Sequence, residues 1–345
     1  MKLEERIEAF VNLKHAIKAL SDNERQYLYE QSALGNPWFT AENVERSLTA
    51  ITQLLSKELL TEWTNLYSIA DTPPKKVGVA MAGNIPLVGF HDLLCVLMAG
   101  HTLVAKLSSQ DTVLMKFISS LLKKVEPRFN DKLFFEERLN NIDAVIATGS
   151  DNTSRYFEYY FRNIPHIIRK NRSSCSVIMG EEPLEELSYL GIDVFSYFGL
   201  GCRNISKIFV PEGYNVSLLL TAWEQFKGVV NHHKYANNYD YQKCLLLMNQ
   251  QVFYDGGQVL LVENTSLVSP ISVVYYEFYK NLEELESKIK SQLEKIQCIV
   301  SAKGWYPTSI PFGKAQSPEL KDYADNVDTM KFLLGLEDKK LGLRG

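Results

Sequence analysis

The chain has 345 residues, enough for about two domains with separate cores. It is 46% hydrophobic and 23% charged with a net charge of −4, which excludes a disordered composition and gives no sign of a nucleic-acid-binding surface. Its five cysteines contain no CxxC pair, which argues against a zinc site and a disulfide framework, and no apolar run nears the ~18 residues of a membrane span.

The N-terminus, Met1-Lys2-Leu3-Glu4-Glu5-Arg6, carries acidic residues and no apolar signal core, so a cytoplasmic protein without an integral membrane segment is expected. To about Ala70 the chain reads as helical: Leu3, Ile7, Phe10, Val11, Ile17 and Leu20 recur at helix-like spacing, and Ser21-Asp22-Asn23-Glu24 forms a capping box. A break at Asp71-Thr72-Pro73-Pro74 precedes a strand at Val77 to Met81, an apolar segment from Pro86 to Met98 and a turn at Gly100. Next come a strand at Thr102 to Lys106, a helix capped near Asp111, a strand at Asp143 to Ile146, a helix from about Asn152 and an apolar stretch at Ile164 to Ile168. This β-α-β-α-β-α-β order predicts a parallel sheet covered on both faces, with ligands bound beyond the carboxyl ends of its strands.

A second α/β stretch begins near Ser174. Strands are expected at Ser176 to Met179, Ser206 to Val210, Val259 to Val262, Ile271 to Tyr276 and Cys298 to Ser301, with helices around Asn215 to Phe226, Tyr239 to Met248 and Leu282 to Ile296. The expected shape is two lobes and a cleft.

Cys202 stands apart from the other cysteines. It lies in Gly199-Leu200-Gly201-Cys202-Arg203-Asn204, whereas Cys95, Cys175, Cys244 and Cys298 sit in or beside apolar runs and read as core. Glycines let a backbone approach a ligand closely, and a neighbouring arginine favours the nucleophilic thiolate. A small buried hydrophobe is the competing reading of any free cysteine. His232-His233 lacks further spaced ligands and reads as a polar loop rather than a metal site. Arg169, Lys170 and Arg172 read as a solvated cluster, against the alternative of a coenzyme A phosphate site, and Tyr156 to Phe161 as helix packing against the alternative of an acyl tunnel.

No G-x-G-x-x-G fingerprint is present. Instead Ala82-Gly83-Asn84-Ile85-Pro86-Leu87 follows a strand, then come Ala99-Gly100-His101-Thr102-Leu103-Val104-Ala105-Lys106 and Ala147-Thr148-Gly149-Ser150. With Gly201-Cys202, Ser269-Pro270-Ile271 and Ile310-Pro311-Phe312-Gly313 behind them, these runs resemble the aldehyde dehydrogenase superfamily over roughly Val77 to Leu333. The short length and the Gly-Asn-Ile-Pro form look like its LuxC-type fatty acyl-CoA reductases.

The resemblance implies an α/β, aldehyde dehydrogenase-like fold. A Rossmann-like cofactor lobe would span 1–171 with the N-terminal helices, a catalytic lobe 172–304, and a segment 305–345 would return to the cofactor lobe; the active site would lie in the cleft. It implies Cys202 as nucleophile, and the Asn84 amide with the Cys202 N–H as oxyanion donors, although asparagine there is also a good turn former. Lys106, Ser109, Gly149 and Ser150 would bind the cofactor: Lys106 at the ribose or its 2′-phosphate, Ser150 at the pyrophosphate or as a helix cap. Ser109 stands where NAD-preferring members carry an acid, so NADPH is the expected cofactor and NADH stays open. Where hydrolytic members carry a water-activating glutamate this chain reads Ile168-Arg169-Lys170-Asn171-Arg172, which suits reduction of an acyl-cysteine.

The implied activity is NADPH-dependent reduction of a long-chain fatty acyl-CoA to the aldehyde, without a metal. The alternatives are reduction of another activated acyl group such as an acyl phosphate, or a non-catalytic protein that kept the fold. A homo-oligomer and, by family analogy, an acyl-protein synthetase partner are further expectations.

Overall fold

The structure, a computed structural model, describes residues 1–149 and 151–336. The chain divides into two compact units, Met1–Lys170 with the C-terminal stretch from Glu319, and Asn171–Pro318.

The first unit opens with helices α1 (Leu3–Lys18), α2 (Asp22–Gly35), α3 (Ala41–Leu54) and α4 (Lys57–Thr64). Buried Ile7, Phe10, Leu13 and Ile17 fall on one face of α1 at three- and four-residue spacing. The expected capping box starts α2: Ser21 Oγ accepts the Glu24 N–H at 3.3 Å, and Glu24 accepts the Ser21 N–H at 2.9 Å. There follow β1 (Lys76–Ala80), α5 (Phe90–Met98), β2 (Thr102–Lys106), α6 (Thr112–Val125), β3 (Leu133–Phe135), β4 (Ala144–Thr148), α7 (Asp151–Phe161) and β5 (His166–Arg169). The strands form one parallel sheet in the order β3-β2-β1-β4-β5.

One face of that sheet packs on α1 to α6 in a single large core, and the other meets Phe157 and Phe161 of α7. The chain winds outward from β1 to β3, then crosses to β4 on the far side of β1. The carboxyl ends of β1 and β4 therefore form the switch point where ligands bind in such sheets. The stretch from Glu319 also belongs to this unit. Trp63 Nε1 donates to the Tyr323 hydroxyl at 2.8 Å, and the His91 ring bonds the Leu320 carbonyl at 3.0 Å.

The second unit contains β6 (Ser173–Val177), α8 (Leu184–Phe195), β7 (Ile205–Pro211), α9 (Ser217–Ala222), α10 (His233–Met248), β8 (Phe253–Asp255), β9 (Leu260–Glu263), β10 (Val273–Tyr279), α11 (Leu282–Lys290), β11 (Ile296–Ser301) and β12 (Ile310–Pro311). The last helix of the chain, α12 (Thr329–Leu334), returns to the first unit. The sheet order is β12-β11-β6-β7-β10-β9-β8, parallel except for β8, which pairs antiparallel with β9. Helices α8 and α9 cover one face around Trp223, and α11 covers the other.

The helix expected to run to Ile296 stops at Lys290, because a short turn at Leu293–Lys295 leads directly into β11. Strands β3, β8 and β12 carried too little pattern to be expected, whereas helix α8 was missed although its buried Leu187, Leu190, Val194 and Phe195 recur at helical spacing. The strands are only two or three residues long. Among the described residues no helix is long and apolar enough to cross a membrane.

Candidate functional site

In the first unit the sequence-selected residues gather at the carboxyl edge of the sheet. Lys106 ends β2 with its side chain exposed, and its carbonyl accepts the Met81 N–H at 3.0 Å where the chain leaves β1. Asn84 is exposed in the bend that follows β1, and Ser109 is exposed in the turn after β2. Gly149 follows β4, held by its N–H on the Arg169 carbonyl at 3.2 Å. Ser150 lies outside the described residues.

Two glycines at this edge are required by close packing. A Cβ on Gly83 would lie 2.7 Å from the Ser108 side chain, and one on Gly149 would lie 2.9 Å from Thr153 in the first turn of α7. The loop after β1 also turns at Leu87, which has φ 59°. Its N–H donates to Asp111 Oδ2 at 2.7 Å.

Asp111 therefore has a larger role than the helix cap expected of it, since its side chain caps nothing and instead holds the Asn84 loop. The carboxylate is 2% exposed. Burial pushes its pKa up to about 7, partly opposed by the Leu87 N–H.

In the second unit Cys202 sits half-buried immediately before β7. The approach to it is unusual backbone: Tyr197 (φ 52°), Phe198 (φ 58°), Gly199 (φ 77°) and Gly201 (φ 102°) all lie at positive φ. Two of these are aromatic residues, which carry a steric cost there, so the surrounding contacts hold the loop. Leu200 N–H bonds the Tyr197 carbonyl at 3.0 Å, and the Phe198 ring lies 4.3 Å from the His232 ring. His232 thus supports this loop by ring contact, and with His233 it stands at the start of α10.

From β6, the Ser174 hydroxyl donates to the Cys202 carbonyl at 2.9 Å and accepts the Cys298 N–H at 3.1 Å. Cys298 Sγ lies 3.1 Å from the same oxygen. Arg203 reaches the Ala315 carbonyl at 3.5 Å. The segment containing Ala315 follows Pro311-Phe312-Gly313 and is pinned by buried Asp193, which accepts the Gly313 N–H at 2.7 Å and the Ala315 N–H at 3.0 Å. Burial raises the Asp193 pKa to about 7 against those two donors. Ser174, Asp193 and Asp111 were invisible as supports in the sequence, because their partners are distant along the chain.

Three sequence readings need correction. Cys244 is exposed on α10 and Cys298 only partly buried, so Cys95 and Cys175 alone among the four are fully buried. Arg169 is not solvated: it is 5% exposed and grips Asp92 through two bonds of 2.7 and 2.9 Å, with a third to Thr329 at 3.0 Å. The aromatic run on α7 divides, with Phe157 and Phe161 against the sheet and Tyr156, Tyr159 and Tyr160 in solvent.

No family model matches the sequence, and no curated protein matches it. Solved structures do match. Aldehyde dehydrogenase 21 from Physcomitrella patens, solved with the product succinate, superposes with a TM-score of 0.69 at 11% identity, covering 97% of this chain and 84% of its own. The chain has the aldehyde dehydrogenase fold. An NAD+ complex of aldehyde dehydrogenase from Bacillus cereus gives 0.62 at 15% identity, covering 87% of this chain and 72% of its own. A mutant aldehyde dehydrogenase C from Pseudomonas syringae, with NAD+ and octanal, gives 0.63 at 12%, covering 92% and 74%.

Proposed function

We propose that the chain is a nicotinamide-dependent oxidoreductase that reduces a long-chain fatty acyl-CoA to the fatty aldehyde through an acyl thioester on Cys202. The observation that carries this reading is the half-buried Cys202 in a constrained, positive-φ loop of an aldehyde dehydrogenase fold. Oxidoreductase chemistry and a dinucleotide come from the same likeness, since two of the neighbours were solved with NAD+.

The first unit fits such a group. Gly83 and Gly149 let the loops after β1 and β4 pack closely on Ser108 and Thr153 at the carboxyl edge of the sheet, the edge where a dinucleotide binds in such sheets. Lys106 and Ser109 stand exposed beyond β2 and would meet the adenosine ribose; with no acid at Ser109, a 2′-phosphate meets no repulsion, which favours NADPH. When bound, the dinucleotide supplies hydride.

The Cys202 thiolate attacks the thioester carbonyl carbon, and the bond to the coenzyme A sulfur breaks to leave an acyl-cysteine. The oxyanion formed on the way needs a fixed donor, and within the second unit the Cys202 N–H is the one we assign, worth about 3 kcal/mol of barrier. Ser174 donates to the Cys202 carbonyl and so holds the peptide plane that follows Cys202, which restrains the loop at that residue. Reduction at the acyl carbon and protonation of its oxygen give a thiohemiacetal, whose C–S bond breaks to release aldehyde and the thiolate. Water attack is disfavoured: residues 168–172 offer no carboxylate, and Arg169 is committed to Asp92.

Incubation with acyl-CoAs of graded length, without dinucleotide, followed by peptide mass spectrometry, is expected to find the acyl group on Cys202. NADPH oxidation with the preferred acyl-CoA should vanish in Cys202→Ala. Retained turnover in that variant would remove the assignment.

A further inference from the structure

The second sheet is irregular on both sides of Ser174. Towards β11 the register shifts: Ser173 pairs with Ile296 and Cys175 with Ile299, so Gln297 and Cys298 together stand opposite Ser174. Towards β7, Ser174 pairs with Ile205 and Cys175 with Lys207, which leaves Ser206 as the extra residue. Bulges are rare between parallel strands, and they re-aim the residues they carry. The one on β11 turns the Cys298 N–H onto Ser174 Oγ at 3.1 Å and sets Cys298 Sγ 3.1 Å from the same oxygen.

That hydroxyl also holds the Cys202 carbonyl, at 2.9 Å. Two cysteines far apart in sequence thus meet on one oxygen, which puts the Cys202 carbonyl within about 6 Å of Cys298 Sγ, comparable to the separation of disulfide-bonded residues. Burial raises the Cys298 pKa; Arg203 and the Ser174 hydroxyl pull it down, and the charge of a Cys202 thiolate pushes it up, which marks the two sulfurs as neighbours. Gly199 and Gly201, both at positive φ, give the loop the backbone freedom to bring Cys202 Sγ onto its partner. The other cysteines are placed elsewhere. Cys175 packs in the core beneath α11, on the opposite face of the sheet from Cys298, which meets the core beneath α8 and α9. Cys244 is exposed on α10, and Cys95 belongs to the first unit.

We propose that Cys202 and Cys298 are an oxidative modification site, forming a reversible disulfide when the protein meets a hydroperoxide, with Cys298 as the resolving thiol. The half-buried Cys202 thiolate attacks the peroxide: an S–O bond forms, the O–O bond breaks, the sulfur gives up two electrons and hydroxide leaves. The Cys298 sulfur then attacks the sulfenic sulfur, the S–S bond forms, the S–O bond breaks, and the thiol proton leaves with the oxygen as water. Arg203 favours the thiolate of Cys298 that this step needs. Closing the disulfide removes Cys202 from further, irreversible oxidation, and an external dithiol restores both thiols by exchange. The chemistry needs only these two thiols, whether or not Cys202 carries an acyl group.

The test is peptide mapping of the full chain, reduced and then treated with hydrogen peroxide, in a Cys244→Ser background that removes the exposed thiol. Remaining thiols are alkylated in denaturant, and joint trypsin and chymotrypsin digestion separates Cys202 from Cys175 before mass spectrometry. A single crosslink within the chain is expected, joining Cys202 to Cys298, with both thiols regained in dithiothreitol. In Cys298→Ser the sulfenic acid has no resolving partner, so Cys202 sulfinic acid, which dithiothreitol does not reverse, should accumulate severalfold more at the same peroxide dose. Should that variant fail to fold, the crosslink map of its parent decides alone. A Cys202 that stays reduced, a Cys298 still fully alkylated once Cys202 is oxidised, pairing of Cys202 with any other cysteine, or equal sulfinic acid in the folded variant would overturn the proposal. None of these readouts uses acyl-CoA or dinucleotide, so they are separate from the test of the proposed activity.

Discussion

Ser174 Oγ donates to the Cys202 carbonyl at 2.9 Å while accepting the Cys298 N–H at 3.1 Å, so one hydroxyl on β6 ties the Cys202 loop to β11. Its single proton is used on Cys202, which leaves its lone pairs for the Cys298 N–H and thiol. Ser174→Ala would leave the Cys202 carbonyl without this donor and the loop free to rotate. The expected cost is about 1–3 kcal/mol of stability by urea unfolding. If Ser174 acts by positioning, kcat should fall about tenfold with little change in KM, since its hydroxyl is engaged by Cys202 and Cys298. An unchanged kcat would reduce Ser174 to a packing role.

Thiol accessibility gives a test that needs no substrate. Cys95 and Cys175 are fully buried, and burial pushes both thiols above their ordinary range, so neither should react with iodoacetamide in the native protein. Cys202 is half-buried and Cys244 exposed, which makes Cys244→Ser the background in which to look. That variant is expected to take one rapid adduct at neutral pH, mapped to Cys202. A Cys202 that reacts no faster than a denatured-state thiol would count against its role as nucleophile.

What the sequence could disclose followed the range of the interactions. Strands β1, β2 and β4 were legible as continuous apolar runs because each is buried on both faces. The capping box at Ser21 was legible because both its partners lie within one turn. Cys202 was legible through its flanking glycines, both of which take positive φ. The supports were not. Asp111 gave only a helix-start signal, and nothing near it indicates that Leu87 N–H is its partner. Lys207 sits mid-strand in β7 with 0% exposure and pairs with Glu277 on β10 at 2.6 Å, an arrangement that only the register of the sheet creates. Cys244 was misread because an apolar run on a helix places some of its members on the solvent side.

Arg169 and Asp92 form a buried, doubly bonded pair that also reaches Thr329 at the start of α12. Removing one member strands the other charge, so Asp92→Leu or Arg169→Met alone should cost about 3–5 kcal/mol. The double variant Asp92→Leu with Arg169→Met removes both charges together and should recover much of that loss. Urea unfolding of the four proteins completes the cycle. Additive losses would mean that the two side chains act independently, contrary to their geometry.

Asp111 and Asp193 set a pH dependence of stability whose sign is opposite to that of a salt-bridged carboxylate. Burial raises both to about 7 from an ordinary value of 3.8, against the N–H donors they hold. Below about pH 4 each is protonated in both folded and unfolded chains. Between about 4 and 7 the unfolded chain has released the proton and the folded chain keeps it, so stability falls as pH rises through this window. Above about 7 both states are ionised and the loss is complete. Asp111→Asn retains an oxygen for the Leu87 N–H and removes the titration, so its stability should decline less steeply than wild type between pH 4 and 7. Asp193→Asn should flatten the profile likewise, but at a cost, because an amide offers one acceptor oxygen where Gly313 and Ala315 use two. Urea unfolding at half-unit pH steps measures both, and parallel profiles for variant and wild type would show that neither carboxyl keeps its proton in the folded protein.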